Sequence, residues 1–186
     1  LPITVAEANI DLLNSARTVY FVIKGGALIN TVANITENFL ELKDPMTSTL
    51  KNIKQLTVEA LIKVDKFDKL ISTIMGIENV FLIRIGDAGV PDNQIQLATS
   101  SGNVTDPSWQ VPTNQWTHLA LTYDTSSGAV EVYLNGIKKG DTKRANYSKP
   151  ITWASSMFFV GKSYDANRWL EADVCEYRIW NRVLTA

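Results

Sequence analysis

The chain has 186 residues, of which 45% are hydrophobic and 20% charged, with a formal net charge of −1. That suits one ordinary globular domain, or one domain and a fragment. It excludes a basic nucleic-acid-binding stripe and an acidic disordered tail, and no apolar run nears the length of a bilayer span, so neither a nucleic acid partner nor direct membrane insertion is expected. The single cysteine, Cys175, rules out an internal disulfide framework and a cysteine-rich zinc site. The single histidine, His118, rules out a histidine-rich metal centre and forces any Ser-His-Asp triad through one residue. The chain opens on LPITV without a Met and reads as a mature or excised piece, its targeting signal missing.

Residues 4–16, TVAEANIDLLNSA, open with Thr4-x-x-Glu7, the capping-box spacing of a helix start. The competing reading, two strands LPITV and TVYFVIK joined by a loop, is preferred. TVYFVIKGG (18–26) is β-branched and aromatic and ends on Gly25-Gly26; NFLELKD (38–44) alternates and stops before Pro45. LTVEALIKV (56–64) puts Leu56, Val58, Ala60, Ile62 and Val64 on one face, with Thr57, Glu59 and Lys63 on the other. LISTIMGI, NVFLIRIGDAG and NQIQLATSSG follow as strands, and TDPSWQVP reads as a turn-rich loop. WTHLALTYD (116–124) and AVEVYLNG (129–136) flank TSSG, a hairpin signal. In the first of these Thr117, Leu119, Leu121 and Tyr123 look like core, and Trp116, His118, Ala120 and Thr122 share the other face. A short strand is expected over 137–143, and MFFVGKS (157–163) and ADVCEYRIW (172–180) close the chain. Many short strands with turns every 8–12 residues predict an all-β protein, a two-sheet antiparallel β-sandwich.

Three blocks in succession carry a resemblance: LTVEALIKV, QWTHLALTYDTSSGAVEVYLNGIKKG (115–140) and FFVGKS…WLEADVCEYRIWNRVLTA (158–186). Trp116, His118, Ala120, Tyr123 and Asp124 fall on a W-x-H-(V/L)-A-x-x-Y-D strand. Tyr133, Asn135 and Gly136 fall on the following Y-x-(N/D)-G strand. Asp173, Glu176, Arg178, Asn181, Arg182 and Leu184 fall on the closing D-x-x-E-x-R-x-x-N-R-x-L strand. The succession resembles the laminin-G-like jelly roll of the concanavalin A-like lectin/glucanase superfamily, over 27–186. Residues 1–26 resemble the last strand pair of the immunoglobulin-like module that precedes such jelly rolls in surface lipoproteins of Bacteroidetes. Gly25-Gly26 would then separate an N-terminal segment, 1–26, from the jelly-roll domain, 27–186.

Glu171, Asp173 and Glu176 make an E-x-D-x-x-E spacing that certain jelly-roll glycosidases use. A retaining glycosidase needs two carboxyls about 5–5.5 Å apart. Uninterrupted alternation would turn Asp173 with Tyr177 and Ile179, and Glu176 with Arg178 and Trp180, so Glu171 and Glu176 share a face only across a bulge. The motif is also late in the chain, and the closing strand of the family explains it without catalysis. His118 occupies a position the family commonly fills with His and reads as a satisfied sheet residue. Sugar modules stack pyranose rings on aromatic faces, and the aromatics in turn-rich contexts are Trp109, Tyr147, Trp153, Tyr164 and Trp169. Arg168 joins them as a ligand-binding residue, with Asn103, Asp106, Arg144, Asp165 and Asn167 as further hydroxyl partners; Trp116 and Trp180 are assigned to structure. No cofactor is required. Calcium (Ca2+) is common in the superfamily, with Asp87, Asp92, Asn93 and Asp173 as available ligands, but ALINT stands where relatives carry Phe-Asp-Gly, with Asn30 replacing a carboxylate.

The resemblance implies a non-catalytic, lectin-like carbohydrate-binding module of a bacterial cell-surface or secreted protein. Its partner would be a glycan or polysaccharide, alongside other modules of a larger surface protein. A protein–protein adhesion or scaffold module, and a glycoside hydrolase using Glu171 and Glu176, are the alternatives.

Overall fold

The computed structural model describes residues 3–13, 16–23, 33–35, 40–42, 53–77, 80–146, 158–161 and 167–185. Strands dominate and no helix occurs among the described residues, so none there is long and apolar enough to cross a membrane, which leaves β-barrels aside. The stretch 4–16 is accordingly strand: β1 (Ile3–Leu13) folds back antiparallel on β2 (Ala16–Ile23), and β1 also lies parallel to β4 (Leu40–Leu42), after the short β3 (Ala33–Ile35). The Thr4-x-x-Glu7 spacing does not start a helix, because β-branched and apolar residues on both sides favour the sheet.

The remaining strands are β5 (Gln55–Val64), β6 (Ser72–Ile77), β7 (Phe81–Asp87), β8 (Val90–Thr99), β9 (Gly102–Gln110), β10 (Thr117–Asp124), β11 (Ala129–Leu134), β12 (Ile137–Arg144), β13 (Phe158–Val160) and β14 (Ala172–Trp180). They form two layers. One sheet runs β2-β1-β4-β13-β6-β7-β8-β9 and the other β12-β11-β10-β5-β14-β3. All neighbours pair antiparallel except β1 and β4.

Alternation decides which face of the six-stranded sheet turns inward. Val58, Ile62, Leu119, Leu121, Val130 and Val132 are fully buried. They meet Ile74, Ile83, Ile85, Ile95 and Leu97 of the eight-stranded sheet in one core. Burying each such side chain is worth about 1.5–3 kcal/mol before conformational entropy is charged. β6 and β7 are buried on both faces, which explains their near-continuous apolar runs. The buried charge of these strands, Arg84, donates through Nε to Gln96 Oε1 at 2.7 Å and pairs with Asp87.

β9 overturns the loop expected at TDPSWQVP. Its Pro107 and small polar residues hide a strand from a propensity reading, yet an edge strand accepts Pro. Gln94 pairs with Gln110 and Gln96 with Thr105, so β9 bulges over the intervening residues. Trp109 therefore turns into the core, fully buried. Its Nε1–H donates to the Lys139 carbonyl of β12 at 2.9 Å, and Lys143 of β12 pairs with Asp106 of β9 at 2.5 Å. The two sheets are thereby closed along one edge.

Candidate functional site

The outer face of the six-stranded sheet carries the polar partners of the core. In the register Tyr133 lies opposite Ala120, Ala120 opposite Glu59 and Glu59 opposite Arg178, one row across β11, β10, β5 and β14. Ala120 is the small member of that row. A cleft of about 150 Å³ opens over it, lined by Thr57, Glu59, His118, Thr122, Tyr133, Gly136, Leu184 and Thr185.

The walls are fixed by hydrogen bonds. Glu59 accepts from Trp180 Nε1 through Oε2, and its Oε1 lies 3.1 Å from His118 Nε2. His118 N donates to Asn135 Oδ1 at 2.9 Å, and Asn135 N donates to His118 O at 2.8 Å. Asn135 (φ 53°) and Gly136 (φ 76°) form the two-residue hairpin turn in which both central residues adopt positive φ, a conformation Asn and Gly tolerate best. The Tyr133 hydroxyl donates to Glu131 Oε2 at 2.7 Å, which pushes the phenol up to about 12. Glu131 also takes Lys138 and Thr142, and hydrogen bonds from Lys138 above all hold its carboxyl at about 2. On the far side the chain end crosses the sheet: the Thr57 hydroxyl donates to Arg182 O at 2.8 Å and accepts from Leu184 N at 2.9 Å. That crossing leaves Thr57 only 1% exposed although it points away from the core.

Just before β10, Trp116 is 42% exposed, with the Lys63 ammonium 5.9 Å from its ring centroid. Lys63 also pairs with Asp173 at 2.9 Å. Glu171 lies beyond that pair, bound by Lys69 at 2.5 Å and Lys66 at 3.1 Å. The Lys69 hydrogen bond is the main force holding the Glu171 carboxyl below the usual carboxylate range, against its partial burial. A general acid needs the opposite shift.

β14 does not alternate without interruption. Val174 pairs with Ile62 and Glu176 with Leu61, a bulge that consumes Cys175. Ala172, Val174, Tyr177 and Ile179 are the buried residues in consequence, and Asp173 is not on the face of Tyr177 and Ile179 as unbroken alternation requires. The side chains of Cys175 and Glu176 lie outside the described residues.

Of the ligand-binding residues expected from sequence, Trp109 is corrected: a fully buried indole offers no face to a sugar. Tyr147, Trp153 and Tyr164, with Asp165, lie outside the described residues. Arg168 and Trp169 are half-buried beside exposed Asn167, and the Arg168 carbonyl accepts from Thr73 N of β6 at 3.1 Å. Asn103 is exposed on β9, Asp106 is nearly buried in its pair with Lys143, and Arg144 donates to Ser127 O. Of the expected calcium ligands, Asp87 is engaged by Arg84 and Asp173 by Lys63, and no group of three or more His, Cys, Asp or Glu gathers among the described residues. The sequence reading assigned Trp116 and Trp180 to structure and did not anticipate the hydrogen bond from Trp180 to Glu59. Strand parity did place Trp116 with His118 and Ala120 away from the core, and that was the signal for the outer face.

Residues 36–186 match the profile of the concanavalin A-like lectin/glucanases superfamily. The chain belongs to this superfamily. Among solved structures it is similar to a candidate carbohydrate-binding protein from Bacteroides ovatus, with 25% identity, a TM-score of 0.65, and coverage of 91% of this chain and 53% of that one. The chain thus spans about half the length of that relative. It is also similar to domain 4 of an extracellular arabinanase from Geobacillus stearothermophilus, solved with arabinotriose (23% identity, TM-score 0.60, 96% and 76% coverage). A pentraxin from Limulus polyphemus shares the fold at 20% identity (TM-score 0.58, 73% and 68% coverage). None of the curated proteins compared with the chain matches it.

Proposed function

We propose that this chain is a non-catalytic, lectin-like carbohydrate-binding module of a cell-surface or secreted bacterial protein. The observation that carries the reading is the likeness to the Bacteroides ovatus candidate carbohydrate-binding protein, 25% identical over 91% of this chain. Binding without cleavage accords with the chemistry of Glu171, whose carboxyl is held ionised by two lysines. The proposed contact residues are Arg168 and Trp169, with Tyr147, Trp153 and Tyr164 kept as candidates from the sequence. Aromatic faces meet the C–H surface of a pyranose and the Arg168 guanidinium meets its hydroxyls. No metal ion is required by this reading, and calcium enters only as an addition to be tested.

The test is a screen of the purified chain on a glycan panel with and without calcium, with released reducing sugar assayed in the same wells. Binding without release supports the module. Release that Glu171→Gln abolishes overturns it in favour of a hydrolase, and no binding at all overturns it in favour of a scaffold.

A further inference from the structure

We propose that the cleft over Ala120, on the outer face of the six-stranded sheet, is a second sugar site: it binds one neutral sugar residue of a glycan through neighbouring hydroxyls that donate to Glu59. The inference rests on the carbohydrate-binding reading above and adds to it a site away from the Arg168–Trp169 end.

Glu59 is built for this role. An ionised carboxylate accepts at about four lone-pair positions. His118 Nε2 and Trp180 Nε1 engage one oxygen each and leave the other lone pairs to a ligand. Two adjacent sugar hydroxyls present their O–H groups at a spacing that two carboxylate oxygens can meet, and charge-assisted bonds of this kind are among the strong ones. The clamps are themselves held. Asn135 fixes the His118 backbone from both sides, and the Arg182 guanidinium stands 5.6 Å from the Trp180 ring. An acceptor fixed in advance spends little ordering entropy on binding.

The rest of the lining fits the same ligand. Ala120 and Leu184 offer apolar surface, Tyr133 an aromatic body, and Thr122 and Thr185 hydroxyls, the mixture a sugar ring with C–H and O–H edges requires. Glu59 is the one carboxylate among the described lining residues, so an acidic sugar would meet like charge there. The site therefore selects neutral sugars.

The experiment is calorimetry on the whole chain. The probes are monosaccharides, gluco-, xylo-, manno-, galacto- and arabino-oligosaccharides, and the corresponding uronic acids. Trp169→Ala serves as the background, with Arg168→Ala as a second background in case the first is poorly folded. The expected result is that these variants still bind a neutral series. Adding Ala120→Phe, which fills the floor, abolishes that residual binding, and adding Glu59→Gln weakens it roughly 10-fold or more. Far-UV circular dichroism and the melting temperature accompany each variant to confirm folding. If Trp169→Ala and Arg168→Ala lose all binding, or if Ala120→Phe and Glu59→Gln leave the residual binding unchanged, the cleft is overturned while the carbohydrate-binding reading stands. A preference for uronic acids overturns the assignment of the ligand class. If the unmodified chain binds none of the probes, both readings fall.

Discussion

Trp109 of β9 donates its indole N–H to the Lys139 carbonyl of β12 at 2.9 Å, so one side chain fills the core and ties an edge strand of one sheet to an edge strand of the other. Replacing it by Ala removes the largest fully buried side chain among the described residues and unseats that tie. A loss of about 3–5 kcal/mol is expected, from the transfer and cavity terms together. Trp109→Phe keeps most of the apolar volume and should cost less, mainly by leaving the Lys139 carbonyl without its donor. Urea unfolding of both variants, followed by far-UV circular dichroism, reads the difference. A Trp109→Ala loss under 1 kcal/mol would contradict the buried placement.

The core strands were legible because their alternation is long and one-sided. LTVEALIKV and THLALTYD sort into faces without knowledge of their neighbours, and the expected core faces of β5 and β10 are buried, joined by Thr57 and Thr122 of the outer face. β9 was not legible. GNVTDPSWQ contains Pro, Gly and Asp, and its strand state depends on pairing with β8, which a local reading cannot supply. The bulge in β14 is likewise a tertiary fact: the sequence allows either phase, and β5 selects one. The cleft was hidden for a similar reason. Glu59, Ala120 and Tyr133 lie far apart in the chain and become one row only through the register of three strands. Thr57 looked like an ordinary exposed position because nothing in LTVEALIKV announces that the chain end will cover it.

Stability should fall on acidification through a window set by two carboxyls. Asp106 and Glu131 are both lowered to about 2, from ordinary values of 3.8 and 4.5. The leading causes are the hydrogen bonds from Lys143 and from Lys138 respectively. Between those values the unfolded chain binds more protons than the folded one, so stability is full above the unfolded values and declines as pH falls toward the folded ones. Their lysine partners are solvated, with the Lys138 and Lys143 side chains 39% and 36% exposed, which keeps the effect small. The urea midpoint should therefore drop between about pH 5 and pH 2, and drop less in Asp106→Asn and in Glu131→Gln. An unchanged slope in both variants would mean that other carboxyls govern the acid limb.

Glu171→Gln should be nearly silent. Its pair with Lys66 lies at the surface, with the Lys66 side chain 56% exposed, and in its partly buried pair with Lys69 a Gln amide oxygen can still accept from the ammonium. Pairs of this kind contribute about 0.2–1 kcal/mol. The expected outcome is a melting temperature within a few degrees of the unmodified chain and unaltered glycan binding. A large destabilisation would show that the lysines, left with Asp68 as their described acidic partner, depend on Glu171 more than surface pairs usually do.

Thr57 gives the sharpest test of the chain end as a wall of the cleft. Its hydroxyl donates to Arg182 O and accepts from Leu184 N, so a single group holds two points of the closing segment against the sheet. Val has nearly the same shape and suits a strand, so Thr57→Val should leave β5 paired while it deletes both bonds. A cost of about 1–3 kcal/mol is expected, because the Leu184 N–H and the Arg182 carbonyl lose their partner. Amide exchange at Leu184 should then quicken while exchange at Val58 and Leu121, in the paired core of the same sheet, stays slow. Glycan binding at the cleft should weaken with it, since Leu184 and Thr185 form one of its sides. Quickened exchange at Leu184 with undiminished binding would leave the chain end as a stabilising strap and remove it from the site.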